Sequence, residues 1–140
     1  MINIAIDGPA GAGKSSVARA VSKELGFIYI DTGALYRSIG VAALRKGYAT
    51  DNAQQVISVL PEVSLSLKFV DGEQRVFLDE KDVSDDIRTP AASMMASAVS
   101  AKGEVRAYLL DMQRNLAKEN NVVMDGRDIG TVVLPDATVK

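Results

Sequence analysis

The chain has 140 residues, no cysteine and no histidine, and its 16 basic and 18 acidic side chains leave a net charge of −2. That excludes a disulfide framework, a thiolate or imidazole metal site, and a Ser-His or Cys-His nucleophile pair. A nearly balanced charge argues against a broad nucleic-acid surface, and no apolar run approaches the ~18 residues of a membrane helix. The length fits one domain. No basic leader precedes the first strand, so a cytoplasmic protein is expected.

In chain order, Ile2, Ile4 and Ile6 mark a short apolar strand bounded by Asp7 and Gly8, as a strand buried on both faces of a parallel sheet would be. Val17, Val21 and Leu25 recur at helical spacing and predict a helix over 14–25 with Gly26 as its stop. "FIYI" at 27–30 predicts a second strand ending at Asp31. The following "DTGALYRSIGVAALRKG" predicts a helix capped by Asp31 or Thr32, buried along Leu35, Ile39 and Ala43, and stopped at Gly47. Strand, helix, strand, helix implies parallel strands with crossover helices.

The middle changes period. Val63, Leu65, Leu67 and Phe69 alternate with polar residues, "DGE" at 71–73 makes a turn, and "QRVFLDE" runs back as an antiparallel partner. "KDVS" at 81–84 can add a third short strand. Residues 61–90 hold eight acids and four bases, so the basic surplus lies elsewhere. This insert reads equally well as surface decoration or as a substrate-side flap. Residues 91–118 return to helix, with Val105, Leu109, Met112 and Leu116 as an apolar stripe, and "NVVMDGRDIG" at 121–130 predicts another buried strand. "ATVK" at 137–140 looks like the beginning of one more. The expected division is a core over 1–60, a hairpin insert over 61–90, and helices returning to the core sheet over 91–140.

Gly8-Pro9-Ala10-Gly11-Ala12-Gly13-Lys14-Ser15 matches G-x-x-x-x-G-K-[ST] at every fixed position, between a predicted strand and a predicted helix. Glycines let successive N–H groups turn inward around a phosphate, and a helix N-terminus adds unpaired N–H groups and partial positive charge. Lys14 is expected to reach the β- and γ-phosphates of a nucleoside triphosphate, Ser15 to offer its hydroxyl to Mg²⁺, and Ser16 to complete the set. No D-x-x-G segment pairs with an N-K-x-D guanine reader here, which leaves a small kinase with a second, acceptor site. Asp7, Asp31 and Asp125 all end predicted strands, so the loops after them should converge at the ligand crevice of an open α/β sheet. Arg37 and Arg127 in those loops suit a phosphate clamp, and Arg106 and Asp128 stand as further candidates.

"IDGPAGAGKSS", "DTGALYR", "VSDDIRT" and "DGRDIGTVVLPDA" together resemble the bacterial cytidylate kinase family, in family order and along the whole chain. The resemblance implies a nucleoside-monophosphate-kinase fold: an α/β phosphate-loop core with a parallel sheet, flanking helices and a small antiparallel insert belonging to the monophosphate-binding region. It implies phosphoryl transfer from ATP, with Mg²⁺, to CMP and dCMP, by a monomer that needs neither nucleic acid nor membrane. Lys14 and Arg127 would then be catalytic, and Arg37 with Arg127 would hold the acceptor phosphate. Ser97, Arg106 and Asp128 would read the cytosine edge, where uracil presents an acceptor in place of an amine. Asp31 and Thr32 would help orient the nucleotide.

The family continues with further strands and an arginine-rich lid, absent from these 140 residues. The chain is therefore expected to be an N-terminal portion, short of kinase activity on its own. Its edge at Lys140 is expected to invite strand pairing. The alternatives are a nucleotide-binding module without turnover, or another small-molecule kinase on the same core.

Overall fold

In chain order the elements are β1 (Asn3–Asp7), α1 (Lys14–Leu25), β2 (Ile28–Ile30), α2 (Thr32–Arg45), a 3-10 segment (Thr50–Glu62), β3 (Leu65–Val70), β4 (Glu73–Leu78), β5 (Lys81–Asp82), a 3-10 turn (Asp86–Arg88), α3 (Pro90–Ser100), α4 (Gly103–Glu119), β6 (Val122–Gly126) and a π turn (Ile129–Val133). The computed structural model describes residues 1–9, 13–48, 50–70, 73–126 and 129–140; the side chains at 50–54, 59 and 73 lie outside that description. The chain divides into two units, Met1–Asp31 with Leu110–Lys140, and Thr32–Leu109.

The first unit carries a parallel sheet in the order β1-β6-β2. Asn3 pairs with Val122 and Asp7 with Gly126, while Ile28 to Ile30 line up with Val122 to Met124. Val122, Val123 and Met124 are buried in the central strand. The "ATVK" expectation holds: Val139 bridges Ile4 in parallel, its N–H donating to the Asn3 carbonyl and its carbonyl accepting from Ala5. The connection leaving β1 leads past β6 to β2, whereas the one leaving β6 leads past β1 to Val139. The two loops diverge at the β1/β6 boundary, the kind of switch point where open α/β sheets bind ligands.

Helix α1 ends where its pattern predicts, on Gly26 at φ 71°, but its buried face differs from the expected one. Val17 and Leu25 are about half exposed, and Ala18 and Ser22 are buried instead. Ala18 packs with Tyr29 and Val123, joined by Ile4, Ile6, Val21 and Phe27. Small side chains bring the helix close to the sheet, so the larger valine and leucine face outward.

The second unit is two packed helices and an antiparallel sheet in the order β3-β4-β5. The predicted third strand is β5. The β4–β5 connection is Asp79-Glu80, both at positive φ (51° and 69°), the geometry of a type I′ hairpin turn. Val76, Leu78, Val83 and Ile87 pack with Ala34, Val41, Ala42 and Ala92 of the two helices. A Cβ on Gly40 would stand 3.0 Å from the Ala92 carbonyl oxygen and 3.2 Å from the Ala96 nitrogen. Glycine is what lets α2 and α3 approach this closely. Thr89 caps α3, its hydroxyl accepting from the Ala92 N–H, and Pro90 occupies the first turn, where a missing N–H costs nothing.

The helical stretch over 91–118 is two helices, broken at Ala101-Lys102. Val105 and Leu109 are buried as expected, but the stripe continues through Gln113 and Ala117, and Met112 and Leu116 are only half-buried. Strict four-residue spacing carries the buried line onto a polar residue that an apolar count passes over. The 3-10 segment at 50–62 has no counterpart in the predicted elements. The "DG" of the turn at 71–73 lies outside the described residues.

Candidate functional site

The phosphate-loop motif begins where β1 ends. The Gly8 N–H donates to the Gly126 carbonyl (3.1 Å), extending the β1–β6 ladder one step beyond Asp7. Ala10, Gly11 and Ala12 lie outside the described residues. Gly13, at φ 76°, is the residue before α1, and its carbonyl accepts from the Val17 N–H. Any side chain would be strained at that φ. The N-cap of α1 is Gly13, which makes no side-chain cap to the first turn. The N–H groups of that turn carry the partial positive charge of a helix N-terminus. Lys14 and Ser15 are half-buried there; Pro9 and Ser16 are exposed.

Ser15 is held from the neighbouring strand. Its hydroxyl donates to Asp125 Oδ2 at 2.9 Å, and the Tyr29 hydroxyl donates to Oδ1 of the same carboxylate at 2.6 Å. Register accounts for the meeting, since Asp125 pairs with Ile6, two residues before the loop opens at Gly8. Burial raises the Tyr29 phenol well above its ordinary pKa, helped by the bond to Asp125 and the charges of Asp31 and Asp125. The Arg19 guanidinium lies over the Tyr29 ring, 5.8 Å from its centroid. A hydroxyl beside a carboxylate is a hard-oxygen donor pair of the kind Mg²⁺ accepts. Among the described residues no three acidic, histidine or cysteine side chains cluster, so a cation here would complete its shell with phosphate and water.

Asp7 clamps the turn that follows the "GRD" segment. Its two carboxylate oxygens accept from the Ile129 N–H (2.7 Å) and the Gly130 N–H (2.9 Å). The π turn closes on the Leu134 N–H to Ile129 carbonyl bond (2.7 Å), and the Arg114 guanidinium donates to the Val132 and Val133 carbonyls. Arg127 and Asp128 themselves lie outside the described residues. Gly126 ends β6 before that segment, and Ile129 opens the π turn after it.

The second unit holds an open cleft of about 240 Å³ between α2 and α3, lined by Gly33, Tyr36, Arg37, Ser93, Ala96, Ser97 and Ser100. Two predicted residues, Arg37 and Ser97, are in its wall. A third, Arg106, is tied to the rim: one guanidinium N–H donates to the Ser100 carbonyl at 3.2 Å. Its remaining donors are available to a ligand. Among the described residues Arg37 has no acidic partner. Burial raises the Tyr36 phenol, and the positive charge of Arg106 partly offsets this. Asp31 and Thr32 are half-buried, Asp31 following β2 and Thr32 opening α2.

Sequence reasoning assigned no role to Asp125, Tyr29, Tyr36, Ser93 or Ser100. A signal existed for the two serines: Ser93, Ser97 and Ser100 fall at i, i+4 and i+7, one face of a helix. Asp125 and Tyr29 meet only through the β1-β6-β2 order, which no local pattern encodes.

The family model for cytidylate kinase matches residues 4–140. Curated relatives named cytidylate kinase include those of Caldicellulosiruptor bescii (50% identical), Pelotomaculum thermopropionicum (53%) and Caldanaerobacter subterraneus subsp. tengcongensis (54%), each aligned over 99% of this chain. The chain spans 60–62% of the length of these relatives. A family match across nearly every residue, together with this degree of identity, establishes that the chain belongs to the cytidylate kinase family.

Proposed function

We propose that the protein transfers the γ-phosphate of ATP to CMP and dCMP, giving CDP and dCDP, as a cytoplasmic monomer. The observation that carries this reading is the arginine- and serine-lined cleft between α2 and α3, in a chain that also carries a complete phosphate-loop motif. The relatives' name supports cytidylate as the acceptor.

In this reading Gly8 and Pro9 open the loop around the donor's phosphates, Gly8 tied to Gly126 and Pro9 offering no N–H, while Ala10, Gly11, Ala12 and Gly13 wrap those phosphates with backbone N–H groups. Ser16 adds a contact from the first turn of α1. Lys14 neutralises charge on the β- and γ-phosphates, and Ser15 turns hydroxyl lone pairs toward the cation while its O–H donates a hydrogen bond to Asp125. Mg²⁺, when bound, supplies further charge neutralisation between the phosphates. Arg37 and Arg127 hold the acceptor phosphate, whose oxygen is already a competent nucleophile, so no histidine base is needed. Ser97, Arg106 and Asp128 read the cytosine edge. Asp31 and Thr32 orient the nucleotide, and the hairpin within 61–90 serves the monophosphate-binding region.

A coupled assay with ATP and CMP, dCMP, UMP or AMP, run on this chain extended through the lid-bearing part that the resemblance implies, tests the reading. Turnover of CMP and dCMP well above UMP and AMP is expected. Preference for UMP or AMP overturns the cytosine assignment. Turnover of a non-nucleotide acceptor indicates another small-molecule kinase, and saturable nucleotide binding without turnover indicates a binding module.

A further inference from the structure

Resting on the phosphate-loop reading, we propose that the Tyr29 hydroxyl is a positioning group for the Mg²⁺-nucleotide site, acting through Asp125 on Ser15. Two hydrogen bonds meet on one carboxylate, Tyr29 into Oδ1 at 2.6 Å and Ser15 into Oδ2 at 2.9 Å, and the Tyr29 and Ser15 hydroxyls are also within reach of each other. A carboxylate at the end of a strand can rotate about its last torsion, which is soft. With Oδ1 engaged by a phenol whose own ring is held, that rotation is restricted and Oδ2 faces Ser15. The ring is held because it is buried with Ala18 and Val123 on one side of the sheet, under the Arg19 guanidinium.

The consequence falls on Ser15. A hydroxyl has one proton and two lone pairs. If the proton is committed to Asp125, both lone pairs point away from the carboxylate and toward a hard cation. If Asp125 swings free, the Ser15 proton can point into the cation's place. Tyr29 touches neither phosphate nor metal in this account. It sets the direction in which Ser15 presents its oxygen, as outer-shell partners commonly do for metal ligands.

The test is ATP binding by the chain, titrated calorimetrically in Mg²⁺ and again in EDTA, for the parent and for Tyr29→Phe. The gain in affinity that Mg²⁺ confers is expected to shrink about tenfold in Tyr29→Phe, while affinity in EDTA stays within about twofold. An unchanged Mg²⁺ gain overturns the proposal, and so does an equal loss in both buffers, which marks a packing defect. The second arm is a double-mutant cycle with Asp125→Asn. Adding Tyr29→Phe to that variant should change the Mg²⁺ gain by less than about twofold; additive losses overturn the route through Asp125. A parent chain that binds no ATP in either buffer overturns the phosphate-loop reading itself, and this proposal with it.

Discussion

The two units recognise their proposed ligands with different parts of the chain. Toward the donor, residues 1–31 offer mostly main chain, the first turn of α1, the left-handed Gly13 and a loop anchored by the Gly8–Gly126 bond, beside the Lys14 and Ser15 side chains; Arg127 and Asp128, also in this unit, are proposed for the acceptor. Residues 32–109 offer side chains, Arg37, Ser97 and Arg106, projected from helices around a cleft. Backbone groups suit a ligand part common to all nucleoside triphosphates. Side chains suit the part that distinguishes one monophosphate from another. That second arrangement can be altered one residue at a time.

Lys14 is the exception on the main-chain side, and its loss gives the largest expected effect. Lys14→Ala should lower kcat about a hundred- to a thousandfold, the range for removing one group aimed at developing charge. CMP affinity should stay within about twofold, because no part of the α2–α3 cleft is lined by residue 14. The coupled assay, with a CMP titration alongside, reads both. A comparable fall in CMP affinity would dissolve the division of labour between the units.

Arg106→Ala tests the other side. Removing one charged hydrogen-bonding group from a bound base costs about 1.5–3 kcal/mol, roughly ten- to a hundredfold in KM for CMP. Discrimination against UMP should narrow, and ATP affinity should not move. Unchanged base preference would remove Arg106 from the reading of the cytosine edge, leaving its bond to the Ser100 carbonyl as a helix-end contact.

How much of this was legible depended on whether the signal was local. The phosphate-loop motif and the stop at Gly26 are written in a few adjacent residues. The buried face of α1 was not legible, because a hydropathy pattern favours Val17 and Leu25, whereas close approach to the sheet selects Ala18 and Ser22. The Asp79-Glu80 turn was missed because neither residue announces positive φ as Asn-Gly would. In the candidate site, Arg37 and Arg106 were nominated by their place along the chain and Ser97 by the family resemblance, and the structure puts Arg37 and Ser97 in the wall of one cleft with Arg106 at its rim. Asp125 and Tyr29 become partners only when β6 inserts between β1 and β2.

Gly40 links the cleft to its scaffold. A Cβ there would meet the Ala92 oxygen at 3.0 Å and the Met95 Cβ at 3.3 Å, so Gly40→Val must push α2 and α3 apart. Overpacking of this kind costs about 1–3 kcal/mol. Urea denaturation followed by circular dichroism should show that loss. CMP affinity should fall with it, as Arg37 and Ser97 sit on the two separated helices, while ATP affinity should hold. A variant as stable as the parent would show that the helix crossing has slack.

The smallest effect separates the cleft from the sheet beside it in the same unit. The Arg75 Nε–H donates to Asp82 Oδ2 at 2.8 Å, and the Ser84 N–H donates to Oδ1 at 2.9 Å. Arg75 foremost, then Ser84, lowers the Asp82 pKa from 3.8 to about 2. The folded pKa lies below the unfolded one, so the charged form is favoured by folding. The contribution is present above pH 3.8 and is lost as pH falls toward about 2. Asp82→Asn should therefore lower stability slightly at neutral pH, and the difference from the parent should shrink on acidification through that window. Carboxyl carbon NMR gives the direct reading: Arg75→Ala should return Asp82 toward an ordinary aspartate titration, with CMP affinity unaltered. An Asp82 that still titrates near 2 without Arg75 would assign the shift to the Ser84 bonds, and a loss of CMP affinity would tie this sheet to the cleft.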